Sequence, residues 1–152
     1  MSLLCSYLSP KNISIDIAIN EKERVIKHLI SHLASIHSEI DESLVLEHIL
    51  KRESEVSTFI GFHCAIPHAH IESLHKTYIA AGRTTEMIPF DEKGDKVKII
   101  FIMIGPVKHS ALHLRLLSSV ARTLHNEEIR LSLMNAQDNE EFYRILCNKG
   151  DV

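Results

Sequence analysis

Apolar residues recur every three to four positions in two early stretches of the chain, which is the period of an amphipathic helix. In residues 21–37 the stripe consists of Val25, Ile26, Leu29, Ile30, Leu33 and Ile36. In residues 41–55 it consists of Leu44, Val45, Ile49 and Leu50. Asn20 and Asp41 stand before these stretches, and we expect their side chains to cap the two helices.

The middle of the chain changes to short apolar runs bounded by turn residues, a pattern typical of strands. These runs span residues 59–66, 77–83 and 96–104, and a weaker run spans residues 14–19. Residues 99–104 are continuously apolar, as expected for a central strand that is covered on both faces.

Helical periodicity returns after Gly105 and Pro106, over residues 112–124, and shorter helices are predicted at residues 127–134 and 139–147. The order of these elements, two helices followed by a group of strands and then further helices, predicts an α/β fold. We expect a single-domain sandwich over the whole chain, with a mixed sheet of about five strands flanked by helices. The length is that of one ordinary domain, and the sequence contains no repeat or linker.

The composition narrows the classes of function. A hydrophobic fraction of 45% is enough for a folded core. The net charge of −3 and the scattered lysines and arginines argue against a nucleic-acid-binding protein, which would concentrate basic residues on one face. The 11 histidines make the charge of the protein sensitive to pH between about 5 and 8.

The cysteines and the termini bear on the cellular compartment. Cys5, Cys64 and Cys147 are far apart and form no C-x-x-C pair, so we expect no disulfide framework. The N-terminus lacks the pattern of a signal peptide, and the longest apolar run, residues 97–104, is shorter than the roughly 20 residues that span a bilayer. These features predict a cytoplasmic protein without direct membrane insertion.

The first candidate for chemistry is His68, which follows Ile66 and Pro67 at the end of an apolar run. If this segment is extended, Ile66, His68 and His70 share one face. Pro67 marks the edge or the end of a strand, because proline cannot donate a ladder hydrogen bond. A neutral imidazole there has a free nitrogen lone pair and can attack phosphorus. The alternative is a histidine at a strand end that makes only a structural hydrogen bond, and the spacing alone favours this alternative.

The second candidate is His113, near the start of a predicted helix. Ser110 is the expected N-cap, which would place His113 at the third helical position. Helix N-termini carry unpaired N–H groups that favour anions, so a phosphoryl group on His68 could be stabilised there. A surface histidine without a chemical role is the alternative.

Three further candidates lie within residues 52–58. Arg52 stands at the end of the second predicted helix, where its guanidinium can complement the helix C-terminus or bind phosphate oxygens. Ser57 and Thr58 are either ordinary loop residues or hydroxyl donors to the same phosphate.

Other chemistries are less well supported. His63 is predicted on the opposite strand face from His68, and Cys64 lies about 13 Å along the strand from it. His109 and His113 are four residues apart, but no H-E-x-x-H pattern contains them. The sequence also lacks a G-x-S-x-G turn, a P-loop and a G-x-G-x-x-G motif. We therefore predict no metal site and no cofactor.

The candidates occur in an ordered set of motifs. The set consists of Arg52-Glu53 before Ser57-Thr58, Gly61, Ala65-Ile66-Pro67-His68, Pro89-Phe90-Asp91, the run 97–104, and His113-Leu114-x-x-Leu117-Ser118-x-x-Ala121-Arg122-x-Leu124. This set resembles the enzyme IIA domains of the fructose–mannitol class of the bacterial phosphotransferase system, a class that includes the nitrogen-regulatory enzyme IIA. The resemblance covers about residues 8–146.

The resemblance implies a phosphoryl-carrier protein. His68 would accept the group from an HPr-type histidine phosphocarrier, His113 would be its active-site partner, and Arg52 would lie beside the phosphate. The lack of a fused transport segment favours a regulatory role of the nitrogen type. The alternatives are a sugar-specific enzyme IIA that passes the group to a fructose- or mannitol-type enzyme IIB, and an interaction module whose histidine is not phosphorylated. Regulatory target proteins are further possible partners, and nucleic acid is not expected.

The sequence departs from the family pattern around the histidine. Phe59, Phe62 and His63 occupy a stretch that is usually small and rich in glycine, and Ala69 stands where glycine is frequent. We expect the bulky side chains to narrow the docking surface and so to affect which partner binds.

Overall fold

The structure is a computed structural model that describes residues 2–149, and it is an α/β sandwich built on one mixed sheet. Within those residues the six strands are β1 (Ile13–Ile17), β2 (Phe59–Gly61), β3 (Cys64–Ala65), β4 (His68–His70), β5 (Tyr78–Pro89) and β6 (Lys96–Gly105). The five α-helices are α1 (Lys22–Ile36), α2 (Glu42–Glu55), α3 (Ser110–His125), α4 (Glu127–Met134) and α5 (Asn139–Lys149). Short 3-10 helices cover Leu4–Tyr7, Pro10–Asn12 and Val107–His109. The predicted fold class is confirmed, with six strands where about five were expected.

The long strand β6 lies at the centre of the sheet. The strand order is β1-β5-β6-β3-β2. β3 pairs with β6 at Ile99 and Ile100, and β4 pairs with β6 further along the strand, at Met103–Gly105. β6 is antiparallel to β5 and parallel to both β3 and β4. The extra strand arises because the run 59–66 is not one strand. Gly61, Phe62 and His63 have φ angles of 94°, 52° and 62°, so the chain reverses and β2 and β3 form a hairpin.

The side chains of β6 explain its unbroken apolar sequence. Ile100, Ile102 and Ile104 belong to the core layer under α1 and α2, while Phe101 and Met103 belong to the layer under α3, α4 and α5. Both faces of the strand are therefore covered, as the sequence predicts. None of the helices in the described part of the chain has the length and apolar character needed to cross a bilayer.

The helix caps agree with the sequence only in part. Asp41 caps α2 as predicted, since its carboxylate accepts a hydrogen bond from Leu44 N at 3.2 Å. Asn20 does not cap α1, because the helix begins one residue later than expected and its N-cap is Glu21, which makes no side-chain capping bond.

The expectation of no disulfide is wrong. Cys5 and Cys147 are bonded, with their Cα atoms 5.7 Å apart and 142 residues between them in sequence. The 3-10 helix Leu4–Tyr7 packs against α5, which brings the two ends of the described chain together. Sequence distance says nothing about this contact. Cys64 is a free thiol buried in the core.

Candidate functional site

β4 places His68 beside the central strand, at the level of Met103 of β6. The half-buried His68 ring is held by its Nδ1 atom, which lies 2.7 Å from the carbonyl oxygen of Ile66. A carbonyl oxygen can only accept a hydrogen bond, so Nδ1 carries the proton. The lone pair of the neutral ring is therefore on Nε2.

The surroundings of His68 favour this neutral form. Burial lowers the pKa of His68 below its ordinary value, and the nearby Arg52 guanidinium and His70 act in the same direction. The Ile66 carbonyl and the Glu53 carboxylate oppose the shift without reversing it. Near neutral pH the His68 ring is thus uncharged, with a free lone pair on Nε2.

His113 faces His68 across the cavity from α3. The helix begins at Ser110 and its N-cap is His109, so His113 is the fourth helical residue and not the third, as the predicted Ser110 cap implied. Its side chain is only 3% exposed, and its ring centroid lies 5.5 Å from that of His68. Neither Nδ1 nor Nε2 of His113 has a hydrogen-bond partner among the described residues.

The burial of His113 also affects its charge. Desolvation lowers its pKa to about 4, and the neighbouring rings of His70 and His68 add to the effect. His113 is therefore neutral at physiological pH and has one N–H to donate. A buried donor without a partner is costly, so this N–H is available to an acceptor that enters the cavity.

Arg52 completes the wall of the same cavity from the last turn of α2. The cavity has a volume of about 650 Å³. It is lined by His48, Lys51, Arg52, Glu55, His68, Ala69, His70, Ser110, Ala111, His113, Leu114 and Leu117. One Arg52 nitrogen, Nη1, donates to Val56 O at 2.8 Å and so helps to end the helix.

Ser57 and Thr58 do not line this cavity. Ser57 Oγ accepts a hydrogen bond from Phe59 N at 3.2 Å and approaches an Asp91 carboxylate oxygen at 3.5 Å. Thr58 is buried, and its hydroxyl donates to Glu53 at 2.6 Å. Both residues fix the segment that follows α2, and their binding of phosphate stays a prediction.

The chain is similar in sequence to a known protein family. Residues 6–149 match the sequence family described as phosphoenolpyruvate-dependent sugar phosphotransferase system, EIIA 2. The chain belongs to this family. A fructose-specific EIIA component of Haloferax volcanii is 32% identical over 127 residues, which are 83% of this chain and 82% of that protein. A nitrogen regulatory protein of Klebsiella oxytoca is 35% identical over 133 residues, which are 85% of this chain and 80% of that protein.

Solved structures of EIIA proteins have the same fold. The crystal structure of the nitrogen regulatory protein IIA-Ntr from Neisseria meningitidis matches with a TM-score of 0.87 and 31% identity, covering 95% of this chain and 99% of that one. The complex of enzyme IIA and phosphorylated enzyme IIB for mannitol from Escherichia coli matches with a TM-score of 0.78 and 19% identity, covering 93% and 97%. At that identity the second match supports the fold alone.

Two residues of this EIIA site were missed by the sequence analysis. Glu53 is buried and accepts hydrogen bonds from the backbone and hydroxyl of Thr58, and Lys22 lies 3.1 Å from it. His70, which the sequence analysis considered only as a strand neighbour of His68, has its ring centroid 4.4 Å from that of His113. Glu53 stands in the sequence only as part of the Arg52-Glu53 motif, which does not indicate that its side chain is buried, and strand alternation places His70 on the correct face without naming its partner.

The bulky residues of the hairpin lie away from the cavity. Phe62 is half exposed and stacks on Arg130, whose guanidinium carbon is 3.9 Å from the ring centroid, and it also contacts His125. His63 Nδ1 bonds to Lys96 O. In the described residues no group of three or more histidine, cysteine or acidic side chains is placed to hold a metal ion.

Proposed function

We propose that this EIIA protein is a phosphoryl carrier whose acceptor atom is His68 Nε2. The observation that supports the proposal most directly is the hydrogen bond from His68 Nδ1 to Ile66 O at 2.7 Å, because it fixes the tautomer with the lone pair on Nε2. The donor would be a phosphohistidine on an HPr-type protein. The lone pair of Nε2 forms the new P–N bond while the P–N bond of the donor breaks, and the donor imidazole keeps that electron pair.

The neighbouring groups would stabilise the phosphoryl oxygens. His113 supplies an N–H that has no other partner, and Arg52 supplies a permanent positive charge on the other side of the cavity. Ser57 and Thr58 remain proposed phosphate ligands, although the Ser57 hydroxyl already approaches Asp91 and the Thr58 hydroxyl already donates to Glu53. Phosphoryl transfer requires mainly positioning and charge stabilisation, which these groups would provide without a metal.

For the biological role we propose regulation of the nitrogen type, in the cytoplasm. This proposal is supported by the nitrogen regulatory relatives at 35% and 31% identity. The fructose-specific relative at 32% identity favours the alternative, a sugar-specific enzyme IIA that phosphorylates an enzyme IIB. A module that binds partners without being phosphorylated is a third reading, and the preserved pair of His68 and His113 argues against it.

The test is phosphorylation by phosphoenolpyruvate through purified general donor proteins. We expect one acid-labile phosphate on His68, mapped by mass spectrometry at neutral pH, and none in His68→Ala. His113→Ala should still be labelled but about 100-fold or more slowly. His75→Ala is the matched control, because His75 is exposed and lies outside the cavity. Label on His113, or full label in His68→Ala, would refute the assignment.

A second arm of the same experiment separates the two roles. The phosphorylated protein is mixed with a fructose- or mannitol-type enzyme IIB, and the movement of label is followed. Rapid and complete transfer to enzyme IIB would support the sugar-specific role and contradict the regulatory one. Retention of the label on His68 supports regulation.

A further inference from the structure

His70 is a third imidazole in the cavity, and the proposed carrier mechanism gives it no task. His68 and His70 occupy alternate positions of β4, so their side chains lie on the same face. The ring centroid of His70 is 4.4 Å from that of His113, which in turn is 5.5 Å from that of His68. The ring of His113 is therefore the shared neighbour of the other two.

The three rings differ in their access to water. His113 is only 3% exposed, and both of its nitrogens are cut off from solvent. His68 is half-buried and has Nδ1 committed to Ile66 O. His70 is exposed at the rim of the cavity. It is therefore the ring of the three that is most accessible to water.

The charged and titratable groups that face His70 are mostly basic. They are His48, Lys51, Arg52 and Glu55 from α2, His68 from its own strand, and His113 from α3. Glu55 is the single acidic residue in the lining of this cavity. A phosphoryl dianion on His68 would thus be the largest negative charge near His70, at a distance of about 7 Å for two residues along a strand.

We propose that His70 is a positioning residue that takes up one proton from solvent when His68 is phosphorylated, and that its cationic ring then holds His113 against the phosphoryl group. This inference rests on the proposed function of His68. No covalent bond to His70 forms, and the proton returns to solvent when the phosphoryl group leaves. A cation in contact with an aromatic ring is attracted to it, so a charge on His70 would stabilise its contact with His113, whose ring plane is tilted by 42° to that of His70. The low pKa of His113, about 4, keeps its ring neutral while His70 gains the charge.

The direction of the pH dependence follows from this proton count. The phosphorylated state would bind a proton at His70 more tightly than the unphosphorylated state, so lower pH favours phosphorylation of His68. A dianion and a single positive charge about 7 Å apart in an aqueous cavity correspond to a change in proton affinity of about five- to tenfold. We expect the equilibrium constant for transfer to the wild type, divided by that for transfer to His70→Gln, to rise by this factor when the pH is lowered from about 8.5 to 6.

Two further variants separate charge from packing. His70→Phe keeps a ring against His113 but cannot take up a proton, and it should show the weak pH dependence of His70→Gln. His70→Lys carries a permanent charge and should hold the favourable low-pH equilibrium constant across the whole range. His75→Gln is the control, since it removes an exposed histidine outside the cavity and should keep the wild-type profile.

NMR titration of the histidine rings in the phosphorylated and the unphosphorylated protein gives a result that a purely structural role of His70 would not change. The same donor protein is used throughout. A larger protonated fraction of His70 at the same pH in the phosphorylated form is the expected result. An unchanged titration of His70, or a wild-type pH profile in His70→Phe, would overturn the inference while leaving the carrier function intact. The absence of phosphohistidine from the wild type and from every variant would overturn both the carrier function and this inference.

Discussion

Replacement of Glu53 by alanine tests how the site is held in place. Glu53 is buried on α2 next to Arg52, and its carboxylate accepts hydrogen bonds from Thr58 N at 3.0 Å and Thr58 Oγ1 at 2.6 Å. The Lys22 ammonium lies 3.1 Å from the same carboxylate and also packs over the Phe90 ring. Glu53 thus joins the end of α2, the segment after it and the start of α1.

The expected loss of stability follows from the groups left without a partner. Removing one member of a buried ion pair typically costs about 3–5 kcal/mol. The Lys22 side chain is 23% exposed and can turn to water, which reduces the loss, whereas the buried amide and hydroxyl of Thr58 cannot. We therefore expect Glu53→Ala to lower the free energy of unfolding by about 3 kcal/mol. Glu53→Gln keeps the shape and one acceptor oxygen, and should lower it by about 1–2 kcal/mol.

The assay is urea unfolding at pH 7, followed by circular dichroism, together with the rate of phosphorylation of His68. Glu47→Ala is the matched control, since Glu47 is exposed on the same helix and should change the free energy of unfolding by no more than about 0.5 kcal/mol. The phosphorylation rate should fall in Glu53→Ala, because the end of α2 that carries Arg52 loses its link to Thr58 and Lys22. If Glu53→Ala unfolds at the same urea concentration as Glu47→Ala, the carboxylate does not have the structural role argued here.

Two further predictions concern Arg52 and the disulfide. Arg52→Ala should be phosphorylated about 100-fold more slowly than the wild type, and Arg52→Lys should be intermediate, because lysine keeps the charge but loses the planar fork. Transfer rates and melting temperatures between pH 6 and 8 test this prediction. A low melting temperature with a normal transfer rate would show that Arg52 has only a structural role. The Cys5–Cys147 bond closes most of the chain, so Cys5→Ser should lower the stability by about 4–5 kcal/mol and abolish any effect of reductant on the melting temperature. Three free thiols in the unreduced native protein would contradict the bond.

The parts of the fold that could be predicted are those with a strong hydrophobic period. Helix α4, Glu127–Met134, has the predicted bounds, and β6, Lys96–Gly105, extends the predicted run by one residue. The hairpin between β2 and β3 was missed because Phe62 and His63 adopt positive φ, which non-glycine residues rarely do. A single glycine, Gly61, was the only turn signal in that run.

The candidate site was predictable only as a set of residue types. Strand alternation placed His68 on the correct face, and the family motifs pointed to His113 and Arg52, which the structure brings to one cavity. Their environment was not predictable, because burial depends on the packing of α3 and α2 against the sheet. The contact of His70 with His113 and the bond of Cys5 to Cys147 join positions whose sequence separation carries no information about distance.

The polar groups around His68 suggest why a carrier can both accept and release its cargo. His113 has an N–H without a partner, and an unpaired buried donor costs about 1–3 kcal/mol. Phosphoryl oxygens in the cavity would relieve this cost, which favours acceptance. The phosphoryl dianion itself must leave water for a half-buried position, which favours release. The two contributions oppose each other, and a group that adds positive charge at the rim, as we propose for His70, would bias the direction of the exchange.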